Sequence, residues 1–169
     1  NITYSKMYLE NYYGFLNQVR LSNDAIYTYL SYPIDPNIYR INRKTLEQTI
    51  IGGKSVYQNE NTKPFGTKYK SDEFNEKKIQ HLTLSQMYLG VIIDAYRNLF
   101  YRLYSKDLSE KNEKGLFNTS KDKGMVLQIF NNKFELLQEI PFDSSDNIGF
   151  INIAVTKEGL YLKSDEEFI

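Results

Sequence analysis

The segment NIYRINRKTLEQTII, residues 37–51, decides how this chain is interpreted. Residues 37–41 have the aliphatic and aromatic content of a strand, and the Asn-Arg-Lys turn at 42–44 leads into a returning strand at 45–51. The segment MVLQIFNNKFELLQEI, residues 125–140, repeats this order around an Asn-Asn turn with one residue inserted. Two copies of one hairpin so far apart in the chain indicate an internal repeat.

Each of these hairpins follows another hairpin. Residues 18–32 have the pattern of two short strands around a turn, and so do residues 84–104. A third unit begins with strands at 150–155 and 160–163. Antiparallel four-stranded units in series are typical of β-propeller blades. The alternative is a β-sandwich, which also uses short strands and tight turns.

The chain is therefore predicted to be all-β, with about two and a half propeller blades in its 169 residues. The predicted boundaries are a blade at 15–53, a long inter-blade loop at 54–83, a blade at 84–141 and a partial blade at 148–169. So few blades cannot close a ring, and their open edges would expose unpaired N–H and C=O groups. We therefore expect a fragment of a larger propeller, or self-association through the open blade edges.

The composition excludes several function classes. Lys plus Arg and Asp plus Glu each number 21, so the chain lacks the basic excess of a nucleic-acid binder. Without Cys it has no thiolate metal site, and with His81 as its one histidine it has no two-His metal site. No apolar run approaches about 18 residues, so no membrane-spanning helix is expected. Neither a metal nor a cofactor is predicted.

Aromatic and arginine side chains are the main recognition chemistry left. Arg97 and Arg102 lie near Tyr96 and Tyr101 around one hairpin, and arginine beside aromatic rings can bind carboxylates or stack on a ligand. The alternative is an inter-blade ion pair, covered by tyrosine rings, that fixes blade register. His81 can act as a general base in principle, but a single histidine beside a strand is more often a packing residue. These five residues are the predicted ligand-binding set, and no catalytic residue is predicted.

Two further motifs are partly similar to known ligand-binding loops, but we do not predict a site at either. Residues 143–147, Asp-Ser-Ser-Asp-Asn, carry hard oxygen ligands suited to Ca²⁺, but they lack the spacing and the glycine of an EF-hand loop. A plain turn with Asx hydrogen bonds is the favoured interpretation. Residues 52–55, Gly-Gly-Lys-Ser, match only the end of a phosphate-binding P-loop, and the motif's first glycine is missing.

Three segments, taken in order, resemble a family of Bacteroidota proteins of unknown function. They are residues 37–46 with 52–55, residues 94–103, and residues 125–140 with 155–161. Members of that family are secreted, often lipid-anchored envelope proteins that form six- or seven-bladed β-propellers. They are roughly twice as long as this chain, which is similar to their C-terminal half. The resemblance implies a secreted, periplasmic or outer-membrane-associated protein whose anchor lies outside these residues.

The leading functional interpretation is a non-enzymatic binding or scaffold protein of the bacterial cell envelope. Its partner would be a glycan, a peptide or an envelope protein, held on the loop faces or in the central channel of a complete ring. The alternative is an envelope hydrolase or lyase acting on glycan or peptide, which needs converging carboxylates or a histidine with a base partner. A third interpretation makes these blades a structural or dimerisation element of a larger chain.

Overall fold

The computed structural model describes residues 7–66, 75–146 and 148–164. The strands are β1 (Arg20–Asn23), β2 (Tyr27–Ser31), β3 (Ile38–Asn42), β4 (Gln48–Ile51), β5 (Met87–Asp94), β6 (Leu99–Ser105), β7 (Met125–Phe130), β8 (Leu136–Phe142), β9 (Ile148–Val155) and β10 (Leu160–Ser164). The α-helices are α1 (Met7–Glu10) and α2 (Asn75–Leu84), and short 3-10 turns occur at Gly14–Asn17, Ser120–Asp122 and Ser144–Asp146. In the described ranges, neither helix has the length and apolar character needed to cross a membrane.

The strands form two four-stranded antiparallel sheets and one hairpin. Sheet I has the order β1-β2-β3-β4, sheet II has the order β5-β6-β7-β8, and hairpin III consists of β9 and β10. Every strand pairs with its neighbour in sequence, so both sheets are simple meanders. The predicted all-β fold of antiparallel four-stranded units is confirmed.

The first turn of each sheet is built by an aspartate. Asp24 Oδ1 accepts two backbone N–H groups of its own turn, and Asp24 Oδ2 accepts the Tyr29 hydroxyl at 2.6 Å. Asp94 repeats this arrangement in sheet II, where the Tyr101 hydroxyl donates to Asp94 Oδ2 at 2.9 Å. Short carboxylates favour such turns because they replace a backbone acceptor.

The second turn of each sheet is built by an asparagine. Asn42 Oδ1 and Asn131 Oδ1 each accept two backbone N–H groups that follow in the chain. Each turn then places an apolar residue in the left-handed region, Leu46 with φ 60° and Phe134 with φ 61°. That conformation is uncommon for a bulky side chain. The repeat of the two sheets therefore extends from strand order to the chemistry of both turns.

Sheets I and II pack face to face through an aromatic core. The ring of Phe134 lies 4.2 Å from Phe100 and 5.4 Å from Tyr29, measured between ring centroids. Ile38 and Val91 fill the remaining space between the sheets. Burial of each such side chain contributes about 1.5–3 kcal/mol, and the ring pairs add to that.

The other face of sheet II packs against hairpin III. Leu103 and Leu127 are buried there, with Ile153 and Leu160 of the hairpin packed against their cluster. Sheet II is therefore covered on both faces, which explains why β6 and β7 are buried along almost their whole length.

The pairing of β5 with β6 has a register shift between Tyr88 and Val91, and the β5 backbone at this point lies close to sheet I. The Leu89 carbonyl accepts the Ser31 hydroxyl at 2.8 Å. A Cβ atom at Gly90 would lie 3.3 Å from Arg20 Cβ, so the glycine permits this close approach.

The segment predicted as a long loop, residues 54–83, contains most of helix α2. Strand β5 correspondingly begins at Met87, where the sequence pattern places its start at Leu84. The helix carries few apolar residues, chiefly Ile79 and Leu82, among charged ones, so its helical period is weak in the sequence.

Candidate functional site

The strand order places two kinds of connection at opposite ends of the sheets. Tight turns join β1 to β2, β3 to β4, β5 to β6, β7 to β8 and β9 to β10, and we call this side the turn end. Longer connections, including residues 52–66, α2 and residues 106–124, lie at the other side, the connection end. Consecutive antiparallel strands alternate in direction, so a meander separates its connections in this way.

Residues 54–66, here called the strap, cross the connection end and are held there by side-chain hydrogen bonds. The Tyr88 hydroxyl accepts the Ser55 N–H at 2.8 Å. The Thr62 hydroxyl donates to the Gln86 carbonyl at 3.1 Å, and the Gln86 amide donates back to a carbonyl of the strap. These contacts make the strap a fixed wall of the connection end.

Lys123 closes the C-terminal end of helix α2. Its Nζ donates to the carbonyl oxygens of Leu82, at 3.2 Å, and Ser85, and only 5% of the residue is exposed. A cation is favoured at a helix C-terminus, where carbonyl groups lack helical partners. Burial nevertheless lowers the pKa of Lys123 to about 8, while the nearby charge of Asp107 opposes that shift. The residue ties the connection between β6 and β7 to the helix.

A cleft of about 290 Å³ opens between the strap, the end of α2 and the start of the β6–β7 connection. Its walls carry carboxylate, amide and hydroxyl groups beside aliphatic side chains. The residues that matter most for its chemistry are Glu60, Asn61, Thr62, Gln86, Asp107 and Leu108. Among the described residues, no group of three His, Asp or Glu side chains is placed to hold a metal ion. The cleft suits a polar ligand with a small apolar part.

His81 lies on α2 and lines this cleft together with Lys63, but both nitrogens of its imidazole point to other groups. Nε2 lies 2.9 Å from the Lys63 carbonyl, which can only accept, so Nε2 carries the hydrogen. Nδ1 is buried, faces the backbone at Gly14, and has no hydrogen-bond partner in the described part of the chain. The ring packs edge-on against Phe65, and burial lowers the pKa of His81. His81 is thus a neutral side chain that joins α2 to the strap.

Three of the predicted residues lie at the turn end. Arg97 Nη1 lies 2.9 Å from Asp94 Oδ2, and the guanidinium donates to the carbonyls of residues 156–157 in hairpin III at 3.1 and 2.6 Å. Tyr101 is buried against the same carboxylate, whereas Tyr96 is 59% exposed. Burial alone raises the pKa of Asp94, but the hydrogen bonds from Arg97 and Tyr101 outweigh burial, and the pKa is lowered.

Arg102 is fully buried between sheets I and II. Its terminal N–H groups donate to the carbonyl oxygens of Pro36 and Asp35, the latter at 3.0 Å, in the connection between β2 and β3. Arg102 and Arg97 therefore each join two units of the fold through backbone carbonyl groups. The alternative interpretation of these arginines was an ion pair between blades. The ion pair that forms, between Arg97 and Asp94, lies within the single turn that joins β5 to β6.

The five predicted residues are not brought together. His81 lies at the connection end, three of them (Tyr96, Arg97 and Tyr101) lie at the turn end, and Arg102 lies between the sheets. The cleft residues Thr62 and Gln86 were missed, because polar residues on long connections carry no pattern that indicates which of them converge.

Residues 143–146 form a hydrogen-bonded turn. Asp146 Oδ2 accepts the Asp143 N–H at 2.8 Å, and the Asp146 N–H donates to the Asp143 carbonyl at 3.1 Å. The fifth residue of the motif, Asn147, lies outside the described residues. At least one carboxylate of the motif is therefore used by the turn itself.

No protein-family model and no curated protein matches the sequence. Among solved structures, the chain is similar to a member of the DUF4221 family from Bacteroides vulgatus ATCC 8482, with a TM-score of 0.63 and 18% sequence identity. The match covers 91% of this chain and 40% of that protein. This similarity to a Bacteroides protein from a family of unknown function agrees with the resemblance to a Bacteroidota family of unknown function. At this identity the likeness shows the fold alone, and the chain spans two fifths of that longer protein.

Proposed function

We propose that the chain is part of a non-enzymatic, propeller-type binding protein of the bacterial cell envelope, with its ligand in the cleft at the connection end. The observation that carries the proposal is the cleft of about 290 Å³, in which hydrogen-bonding groups from three chain segments converge. Binding sites commonly combine such convergent polar groups with a rigid scaffold.

The walls of the cleft are ordered before any ligand arrives. The strap is hydrogen-bonded to Tyr88 of sheet II and, through Thr62, to Gln86 just before β5, and the end of α2 is hydrogen-bonded to Lys123. A ligand therefore meets groups that are already placed, which reduces the entropy lost on binding.

The orientation of His81 supports binding over catalysis. Its Nε2 is engaged by the Lys63 carbonyl and its Nδ1 faces Gly14, so neither nitrogen is offered to a ligand in the cleft. Glu60 and Asp107 supply carboxylates to the lining, and these suit hydrogen bonding to a ligand. The competing function is that of a hydrolase or lyase, and cleavage of a bound probe would demonstrate it.

Two observations support the propeller, and the envelope location has a separate basis. Sheet I, sheet II and hairpin III pack in series, each face to face with the next, as blades do. The structural relative is longer than this chain, which covers 40% of it. The location rests on the resemblance to envelope proteins. Fractionation of cells expressing the full-length gene product tests it, and recovery in the cytoplasm would contradict it.

Blocking the cleft tests the binding function. Asn61→Trp places a large ring in the cleft, whereas Asn132→Trp makes the same change at an exposed turn of the opposite end. Wild-type protein and both variants would be screened against an oligosaccharide array and a library of extended peptides. We expect the probes that bind wild-type protein to bind Asn132→Trp equally and to be lost with Asn61→Trp. Equal binding by Asn61→Trp, or cleavage of a bound probe, would refute the proposal.

A further inference from the structure

The contact between sheets I and II joins two positions that recur in the fold. Sheet I contributes Tyr29, which follows its first turn, and we call this position the turn tyrosine. Sheet II contributes Phe134, the left-handed residue that ends its second turn, and we call this position the exit residue. Both side chains are buried, and their ring centroids lie 5.4 Å apart. The turn tyrosine of one unit thus packs against the exit residue of the next.

The turn tyrosine occurs in all three units. The Asp24 N–H donates to the carbonyl three residues on at 3.0 Å, and Thr156 in hairpin III makes the same bond at 2.9 Å. Tyr29 and Tyr161 each lie five residues after these donors. In sheet II, where the first turn is longer, the equivalent residue is Tyr101, whose hydroxyl donates to the turn aspartate as that of Tyr29 does. Hairpin III therefore begins like the other two units.

The last turn tyrosine is the one open to solvent. Tyr29 is buried under sheet II, and Tyr101 is buried in the cluster that hairpin III covers. Tyr161, in contrast, is 54% exposed. Its neighbour Leu160 packs towards sheet II, so the alternation of a strand directs Tyr161 to the opposite face of the hairpin. That outer face carries the residue type that the next unit covers elsewhere in the chain.

Sheet I has an exposed exit residue. The Leu46 N–H donates to the Asn42 carbonyl at 2.8 Å, as the Phe134 N–H donates to the Asn131 carbonyl at 2.9 Å. Both residues have left-handed backbones, with φ 60° and 61°. Phe134 is buried between the sheets, whereas Leu46 is 73% exposed. A bulky side chain in this conformation is strained, and burial does not offset the strain at Leu46 in a single copy.

A second pair of equivalent positions shows the same contrast. Val91 and Leu21 each immediately precede the residue that pairs with a turn tyrosine. Val91 is buried between the sheets, whereas Leu21 is 61% exposed. Ser22 donates to the Val91 carbonyl, so Leu21 beside it lies on the face of sheet I away from sheet II. Helix α1 covers the connection-end part of that face, where the Tyr8 ring lies 5.6 Å from Tyr32.

We infer that two copies of this chain pack head to tail, with the outer face of hairpin III in one copy on the outer face of sheet I in the next. Tyr161 then meets Leu46, as Tyr29 meets Phe134. The occupant is a second copy because both halves of the contact are present in this chain and continue its existing stacking. Such a contact uses two different surfaces, so it can repeat into a ring or a filament. The inference goes beyond the proposed ligand site, which lies at the connection end.

The mass of the purified chain in solution tests this contact. Light scattering across about a hundredfold range of concentration should give a mass above 19.9 kDa that rises with concentration. We expect at least about tenfold weaker association for Leu46→Asp, which tolerates a left-handed backbone, and for Tyr161→Glu. Leu116→Asp changes a leucine that is 62% exposed at the connection end, and this control should associate as wild type does. Equal melting temperatures show that the variants are folded.

A mixture of the two variants distinguishes a head-to-tail contact from a symmetric one. Leu46→Asp keeps an intact hairpin III face and Tyr161→Glu keeps an intact sheet I face, so together they should form a 1:1 dimer that does not grow further. A mixture that stays monomeric, or association of Tyr161→Glu by itself, overturns the inference. A wild-type chain that is monomeric at every concentration overturns it too. None of these results bears on the cleft, which the Asn61→Trp screen tests separately.

Discussion

The guanidinium carbon of Arg102 lies 4.1 Å from the centre of the Tyr88 ring, and both residues are almost fully buried. Arg102 donates to the β2–β3 connection of sheet I, and Tyr88 holds the strap at Ser55. Burial lowers the pKa of Arg102 to about 9, so the guanidinium stays charged at neutral pH. The contact between Arg102 and Tyr88 thus connects sheet I to the strap, which forms one wall of the cleft.

Arg102→Ala should therefore be strongly destabilising. The change leaves the carbonyl groups of Asp35 and Pro36 buried without donors and opens a cavity beside Tyr88. We expect the free energy of unfolding to fall by roughly 3–5 kcal/mol, measured by urea denaturation. Arg43→Ala removes an exposed arginine at the turn end and should cost less than about 1 kcal/mol. Equal losses for the two variants would show that Arg102 does not join the sheets.

Asp94→Asn should alter the acid sensitivity of the protein. The pKa of Asp94 is lowered in the folded state, where the hydrogen bonds from Arg97 and Tyr101 outweigh the effect of burial. A carboxyl with a lowered pKa stabilises the fold above its unfolded pKa of about 3.9, and this contribution is lost as pH falls through the lower folded value. The variant should be less stable near neutral pH and lose less stability below about pH 4. Urea midpoints across this range test the prediction, and parallel pH profiles would contradict it.

The strand architecture could be predicted because its signals are local. The alternation at residues 99–104 assigns Leu99, Tyr101 and Leu103 to one face, and these residues face hairpin III. Phe100 and Arg102, on the other face, meet sheet I. Turn residues likewise act within a few positions of the chain, so the hairpins and their repetition are visible in the sequence.

The site could not be predicted because its contacts are distant in sequence. Arg102 beside tyrosines is compatible with ligand binding and with packing, and only its burial between two sheets decides between them. Thr62 and Gln86 meet across the cleft from connections that have no apolar period. His81 was expected beside a strand but lies on α2, because the interactions that stabilise a short polar helix come from tertiary contacts such as Lys123.

Stability should rise with pH in mildly alkaline solution because of Lys123. Burial lowers the folded pKa of Lys123 to about 8, from an ordinary value of 10.5. Between these values the unfolded chain binds the proton and the folded protein does not, so raising the pH favours folding. We expect a gain of roughly 1 kcal/mol between about pH 7.5 and 9, and no such gain in Lys123→Met.

The pH range of that measurement is limited by tyrosines. Burial raises the pKa of Tyr29 and Tyr104, so above about pH 10 the unfolded chain releases protons that the folded protein keeps. The free energy of unfolding should then fall again as the pH rises above about 10. Urea midpoints should therefore be compared below about pH 9.5, and a gain of equal size in Lys123→Met would assign it to another group.

Gly52 and Gly53 should respond very differently to the same substitution. Gly52 has φ 75°, and a Cβ atom there would lie 2.7 Å from Ile38 Cδ1. Ile38 is fully buried in the core between sheets I and II, so its side chain has no room to move aside. Gly52→Ala should therefore lower the free energy of unfolding by about 2–4 kcal/mol, from backbone strain and overpacking together. At Gly53 no atom lies within 4 Å of the added Cβ, and Gly53→Ala should change stability by less than about 0.5 kcal/mol. If both variants unfold at the same urea concentration, the exit from β4 does not require a glycine at residue 52.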